Sequence, residues 1–228
     1  MTTPKKYKIY ALDNYRKSDN FVKHGFKEYE IDDLVEELEN DECYHMRIHP
    51  SDDYIFFGDC DEFRSDPEKN AEDSFKMFAQ LLIDFLKNSY NISIVHTDIS
   101  WTYNESKKGS FHYSVPKIYA SAGKLKEMHS NFFKEHENIF LYKKGKKNQK
   151  VIDTTIYSEH WFRYPNQTKE QEPGTEHLIK QGKIIDQIVE HIPINSICVD
   201  NKIYKGLVKN KEIKVPKVIK NILKREQL

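Results

Sequence analysis

Hydrophobic and polar positions follow two periods along this chain. YKIYAL (residues 7–12) reads as a short strand, and IDDLVEELEN from Ile31 puts Ile31, Leu34, Val35 and Leu38 on one side of an acidic amphipathic helix. YHMRIH (44–49) and DYIFFGDCD (53–61) are β-like runs joined by His-Pro-Ser-Asp, a turn-forming connection, and predict a hairpin. From Pro67, a residue suited to a first helical turn, Phe75, Phe78, Ala79, Leu82, Phe85 and Leu86 recur on one face of a helix of about 20 residues. NISIVHTD (91–98) and SFHYSVP (110–116) predict an antiparallel strand pair, covered by a helix from about Gly123 to His136. After Val151 come VIDTTIYSEHWFRYPNQTK and an amphipathic stretch near KIIDQIVEHI. Strands and helices alternate irregularly and no βαβ glycine fingerprint is present, so the expected class is α+β with an antiparallel or mixed sheet.

Composition narrows the options. The 29 aromatic residues can fill a core despite 32% charged residues, and Lys+Arg equals Asp+Glu at 36, so there is no overall basic excess to hold nucleic acid non-specifically. The charge is instead local. Residues 28–42 are acidic, whereas KKGKKNQK (143–150) carries five lysines and reads as an exposed loop. It is either a solvated turn or a phosphate-backbone contact. The segment from Lys202 to Arg225 carries nine basic residues and one acid. Three cysteines without a CxxC pair favour reduced thiols over a disulfide framework or a four-cysteine zinc site. No run reaches the roughly 18 apolar residues a membrane span needs, and the start lacks a signal-peptide core, so a soluble intracellular protein with no membrane partner is expected. No GxxxxGK[ST] loop is present, which excludes a helicase-type ATPase in this chain.

Three segments carry candidate chemistry. In YIFFGDCDEF, Asp59 and Asp61 share a strand face about 6.6 Å apart, a spacing from which two carboxylates can hold a divalent cation; a strand simply ending in polar residues is the plainer alternative. In KGSFHYSV, Ser110, His112 and Ser114 line one face and Phe111, Tyr113 and Val115 the other. That polar face is either a solvated edge or, with Lys108, a phosphate-accepting cleft. In the third segment Ile152-Asp153 precedes Tyr157, His160, Arg163 and Lys169; Asp153 is either a turn cap or a carboxylate ligand at a strand end, and the two cations are types that bind triphosphate oxygens.

In this order the three segments resemble the archaeo-eukaryotic primase superfamily, in particular its primase-polymerase and large-DNA-virus (herpes-pox type) branches. That family carries D-x-[DE] at a strand end, then S-x-H, then a hydrophobic-Asp motif followed by Tyr, Phe-Arg and Lys. Here these are Asp59-Cys60-Asp61, Ser110-Phe111-His112, Ile152-Asp153, Tyr157, Phe162-Arg163 and Lys169, spanning Cys43 to Lys169. His160 departs from the pattern, since members often carry a second Arg there.

The resemblance implies an N-terminal α/β module packed on an RRM-like module with the active site in the cleft between them, a catalytic domain over residues 1–200 and a basic tail over 201–228. It implies Asp59, Asp61 and Asp153 as catalytic ligands of two Mg²⁺ or Mn²⁺ ions. Lys108, Ser110, His112, Arg163 and Lys169 would bind nucleotide phosphates, Tyr44 would lie by the sugar, and Arg47 would reach triphosphate or template. The implied activity is primer synthesis on single-stranded DNA from NTPs or dNTPs in DNA replication, as a nucleotidyltransferase partnered by a replicative helicase, either as a separate primase or as a piece of a longer one. A viral source would place it in host cytoplasm or nucleus. The rivals are a metal-dependent nuclease using the same carboxylates and a non-catalytic primase-like nucleic-acid-binding module.

Overall fold

The computed structural model describes residues 5–11, 26–40, 43–61, 63, 71–105, 109–144, 147–169 and 174–206, with backbone alone for residues 11, 141–144 and 147–149. Pro67, Lys108 and the basic tail from residue 207 lie outside the described residues. The chain forms β1 (Tyr7–Ala11), β2 (Phe26–Tyr29), α1 (Ile31–Glu37), β3 (Tyr44–Ile48), β4 (Asp53–Cys60), α2 (Ala71–Tyr90) and β5 (Ser100–Tyr103). It continues through β6 (Phe111–Ser121), α3 (Ala122–Glu135), α4 (Glu137–Phe140), β7 (Leu141–Lys144), β8 (Lys147–Lys150), β9 (Ile152–Asp153), β10 (His160–Arg163), β11 (Leu178–Gln181) and β12 (Ile197–Cys198).

This is an α+β architecture built on two mainly antiparallel sheets. One has four strands in the order β10-β3-β1-β2; the other runs β11-β5-β6-β4-β9, with β12 alongside β6 in parallel. β7 and β8 form a separate two-stranded ribbon. β4 is buried almost throughout, because β6 and β9 flank it and both of its faces are covered.

Parity divides the larger sheet. Phe111, Tyr113, Cys60 and Trp101 point to the face covered by α2 and α3. The predicted apolar face of α2 is the one buried there, and the Phe78 ring lies 5.0 Å from Phe111 and 4.9 Å from Tyr113. From α3, Phe132 approaches Phe78 at 5.7 Å and His129 stacks on Phe56 at 4.6 Å. Burying each such ring contributes about 1.5–3 kcal/mol. Gly58 permits the closest approach: a Cβ there would sit 2.3 Å from the Tyr113 hydroxyl. On the opposite face Phe57 meets Phe162 of the four-stranded sheet at 5.0 Å, joining the two sheets through one continuous core.

Three expectations need correction. β3 and β4 are not a hairpin, since β3 pairs with β1 and β10 while β4 pairs with β6 and β9. The His49–Asp52 turn redirects the chain between sheets, and β4 gains eight residue pairs along the longer β6. NISIVHTD is not a strand. Ile92 and Ile94 are buried in alternation, but the Asp98 carboxylate accepts from the Val95 N–H and winds His96–Asp98 into a 3₁₀ turn, so the strand starts only at Ser100. The lysine-rich segment is not a loop, because Lys143↔Asn148 and Lys144↔Lys147 are paired; ladder hydrogen bonds are made by the backbone, so a charge run does not forbid them. The amphipathic stretch near 183–192 supplies only a 3₁₀ turn at Ile184–Gln187. Lys205 and Tyr204, at the start of the expected tail, pack on α2 and α3 through Ser89 and Glu135. Among the described residues, no helix is long and apolar enough to cross a membrane.

Candidate active site

One rung of the larger sheet carries the site. In register, Asp153 of β9 lies opposite Asp59 of β4, Asp59 opposite His112 of β6, and His112 opposite Thr102 of β5. Directly opposed antiparallel residues project to the same face with Cβ atoms about 4.5–5.5 Å apart. Asp153 is 94 positions from Asp59 in sequence (153 less 59), yet the ladder makes them neighbours. The next rung follows the same geometry, since the Asp61 N–H donates to the Val151 carbonyl and the Ser110 hydroxyl donates to Asp61 Oδ1 at 3.3 Å.

Individual contacts define what each group can do. His112 Nε2 stands 3.7 Å from Asp59 Oδ1, and its ring is held between Phe162, at 4.6 Å, and His177, at 3.9 Å. Two stacked neighbours fix the ring plane and leave its edge directed at the carboxylate. Asp153 Oδ1 accepts both the N–H and the hydroxyl of Thr155 at 2.7 Å. Arg163 donates through Nη1 to the Thr175 carbonyl, while its buried Nε has no hydrogen-bond partner among the described residues. Burial lowers the Arg163 pKa below its usual value, and the charges of Asp59 and Asp61 oppose that shift. Lys169 is anchored by its backbone N–H to the Thr175 hydroxyl at 2.7 Å.

Arg163 and Lys169 form a positive pole whose charges act on His45. This imidazole is pushed down to about 3, chiefly by burial, with the charges of Arg163, Lys169 and His160 adding to the effect; its Nδ1 contacts the Cys43 carbonyl at 3.0 Å.

The larger sheet brings together Asp59, Asp61, Asp153, Ser110 and His112; Arg163 comes from β10 of the four-stranded sheet, near enough to feel the charges of Asp59 and Asp61, with Lys169 at the positive pole. Tyr44 is not among them. On β3 Tyr44 has the parity opposite to His45, and its hydroxyl donates to Glu37 Oε1 of α1 at 2.6 Å, so it faces the core and not a sugar. Its pKa is raised to about 12, mainly by burial, then by that carboxylate. Arg47 also stands apart, paired with Glu159 and lying over Trp161 on the outward face of the smaller sheet. Tyr157 is a core residue whose hydroxyl donates to the Phe57 carbonyl. His160 is exposed at the start of β10.

Sequence reasoning missed His45 and His177. His45 was legible from parity, because any strand placing Tyr44 inward turns His45 the other way. His177 was not, since only the non-local pairing of β5 with β11 brings it to Thr102, at 3.3 Å, and to His112.

Three carboxylates form the hard oxygen donor set that Mg²⁺ and Mn²⁺ take. Among the described residues, no group of three or more His, Cys, Asp or Glu side chains is placed to hold a metal ion. Asp153 shows one reason: its Oδ1 is turned to Thr155, so sharing an ion with Asp59 requires rotation of side chains on backbones already in register. No family model matches the chain, and no curated protein matches it.

Proposed function

We propose that this chain is a primase-polymerase of the archaeo-eukaryotic type that synthesises primers on single-stranded DNA. The observation carrying the reading is the single rung Asp153–Asp59–His112, which joins residues from all three motifs on one face of one sheet. A strand end that was merely polar needs no such convergence. In this reading the four-stranded and larger sheets are the two modules, and the acids occupy the cleft where Phe162 meets His112.

Asp59, Asp61 and Asp153 would hold the divalent ions, which supply Lewis acidity to a 3′-hydroxyl and to the departing pyrophosphate. Ser110 orients Asp61 through its hydroxyl. His112, held flat between two rings, offers an imidazole edge to a phosphate oxygen, and Arg163 and Lys169 neutralise the triphosphate charge from the opposite pole. Arg163 has an N–H to give, because its buried Nε is unpaired among the described residues. A replicative helicase remains the proposed partner, and NTPs or dNTPs the proposed substrates.

Calorimetric titration with a nucleoside triphosphate and Mn²⁺ tests the reading. Binding that requires the metal and is lost in Asp59→Ala supports it; metal-independent binding, or none, contradicts it. Labelled single-stranded DNA incubated with Mn²⁺ alone should keep its length, whereas shortening would identify a nuclease.

A further inference from the structure

The outward face of the four-stranded sheet carries a row of aromatic rings that the nucleotide site does not use. A single rung crosses all four strands as Arg163–His45–Tyr10–Phe26, beginning at the positive pole of the site and ending at the sheet edge with Phe26 51% exposed. Tyr10 lies 4.9 Å from Trp161, nearly edge-on, and 6.0 Å from Phe26, so three aromatic rings form a connected row. Cations sit over its two ends: the Arg47 guanidinium lies 5.4 Å from the Trp161 ring centre and the Lys8 ammonium 4.6 Å from that of Phe26. An open groove of about 670 Å³ adjoins the row; its lining includes Tyr10 and four cations, Lys5, Lys6, Lys8 and Arg47, against three acids, Asp52, Asp53 and Glu190.

The outward face of a soluble sheet is ordinarily polar. Rings alone would suit an apolar protein partner, but rings interleaved with cations match the alternation of base and phosphate in a single strand. We propose that this face is a platform for single-stranded nucleic acid, with bases stacking on Phe26, Tyr10 and Trp161 and phosphates meeting Lys8 and Arg47. The strand then runs along the rung toward Arg163. The acids paired with the two cations of the row do not block it: Glu159 and Glu28 pair with Arg47 and Lys8 in solvent, where such pairs have little net strength and a phosphate can replace them. This deepens the polymerase reading by naming the template surface, but stacking needs neither metal nor nucleotide and is measured apart from catalysis.

Only two tryptophans are present, and Trp101 is buried at 3% exposure, so indole emission can report on Trp161. Oligothymidylate of about ten nucleotides, added to the full chain without metal or nucleotide, should bind and quench that emission. Trp161→Phe should abolish the quench and keep the affinity. Phe26→Ser, at an exposed position that leaves folding intact, should weaken binding about fivefold or more. Binding without quench, unchanged affinity in Phe26→Ser, or equal affinity for duplex DNA would overturn the platform. Loss of the quench with primer synthesis retained removes the platform alone; an intact quench without synthesis removes the polymerase reading alone.

Discussion

Phe111 and His112 are neighbours on β6 and end in opposite surroundings. Phe111 is fully buried among Phe75, Phe78 and Trp101 beneath α2, while His112 faces Asp59 among the buried polar residues Ser110, Thr102 and His177. The same strands, β4, β5 and β6, build both faces, so the difference comes from parity alone. One face holds the fold through apolar area; the other gathers like charges that fold stability does not require. A site of this kind sits on a rigid support, which keeps two carboxylates in register without contributing a core of its own.

Breaking the apolar face should have the largest effect on stability. Phe111→Ala should cost about 3–5 kcal/mol, because the surrounding rings cannot collapse into the space, and urea denaturation would read the loss. Gly58→Ala tests the same face by crowding. The added Cβ meets the Tyr113 ring and hydroxyl, and about 1–3 kcal/mol of stability should be lost, with a lower thermal midpoint.

On the polar face the expected pattern reverses. His112→Ala should lower the thermal midpoint less than Phe111→Ala does while raising the nucleotide KM about tenfold, the scale of one charge-assisted hydrogen bond, with template affinity unchanged. Steady-state kinetics at varied nucleotide concentration separates the two, and an unchanged KM removes the phosphate role.

The smallest effect is a pH dependence common to both faces. Burial lowers His45 to about 3 and His129 to about 4, from a reference of 6.5. Between those values the unfolded chain binds more protons than the folded one, so stability rises with pH across the window and falls as pH drops below about 6.5. Glu190, raised by burial from 4.5 to about 7, acts in the opposite sense between those two values. Glu190→Gln should therefore steepen the loss of stability on acidification, as followed by denaturation midpoints across a pH series.

Local pattern carried a good part of this structure. The apolar faces of α2 and α3 follow side-chain spacing within each helix, and the polar face of β6 follows its alternation, so both were legible before any tertiary contact was known. Pairing was not. The His49–Asp52 turn looked like a hairpin because sequence shows which strands are adjacent, not which edge each will find. β11, which carries His177 to His112, offered no signal at all. Within the candidate site the residues on β4, β6 and β9 were readable from their types and order. Tyr44 was misplaced because its strand was known but its inward parity, fixed by Glu37 of α1, was not.

Primer synthesis by wild type and Asp153→Ala, both shown to be folded by circular dichroism, tests the shared acid face most directly. With unprimed single-stranded template, labelled nucleotides and Mn²⁺, the wild type should yield extended labelled products and the variant none. Equal product from both, or no product from the wild type, would contradict the assignment.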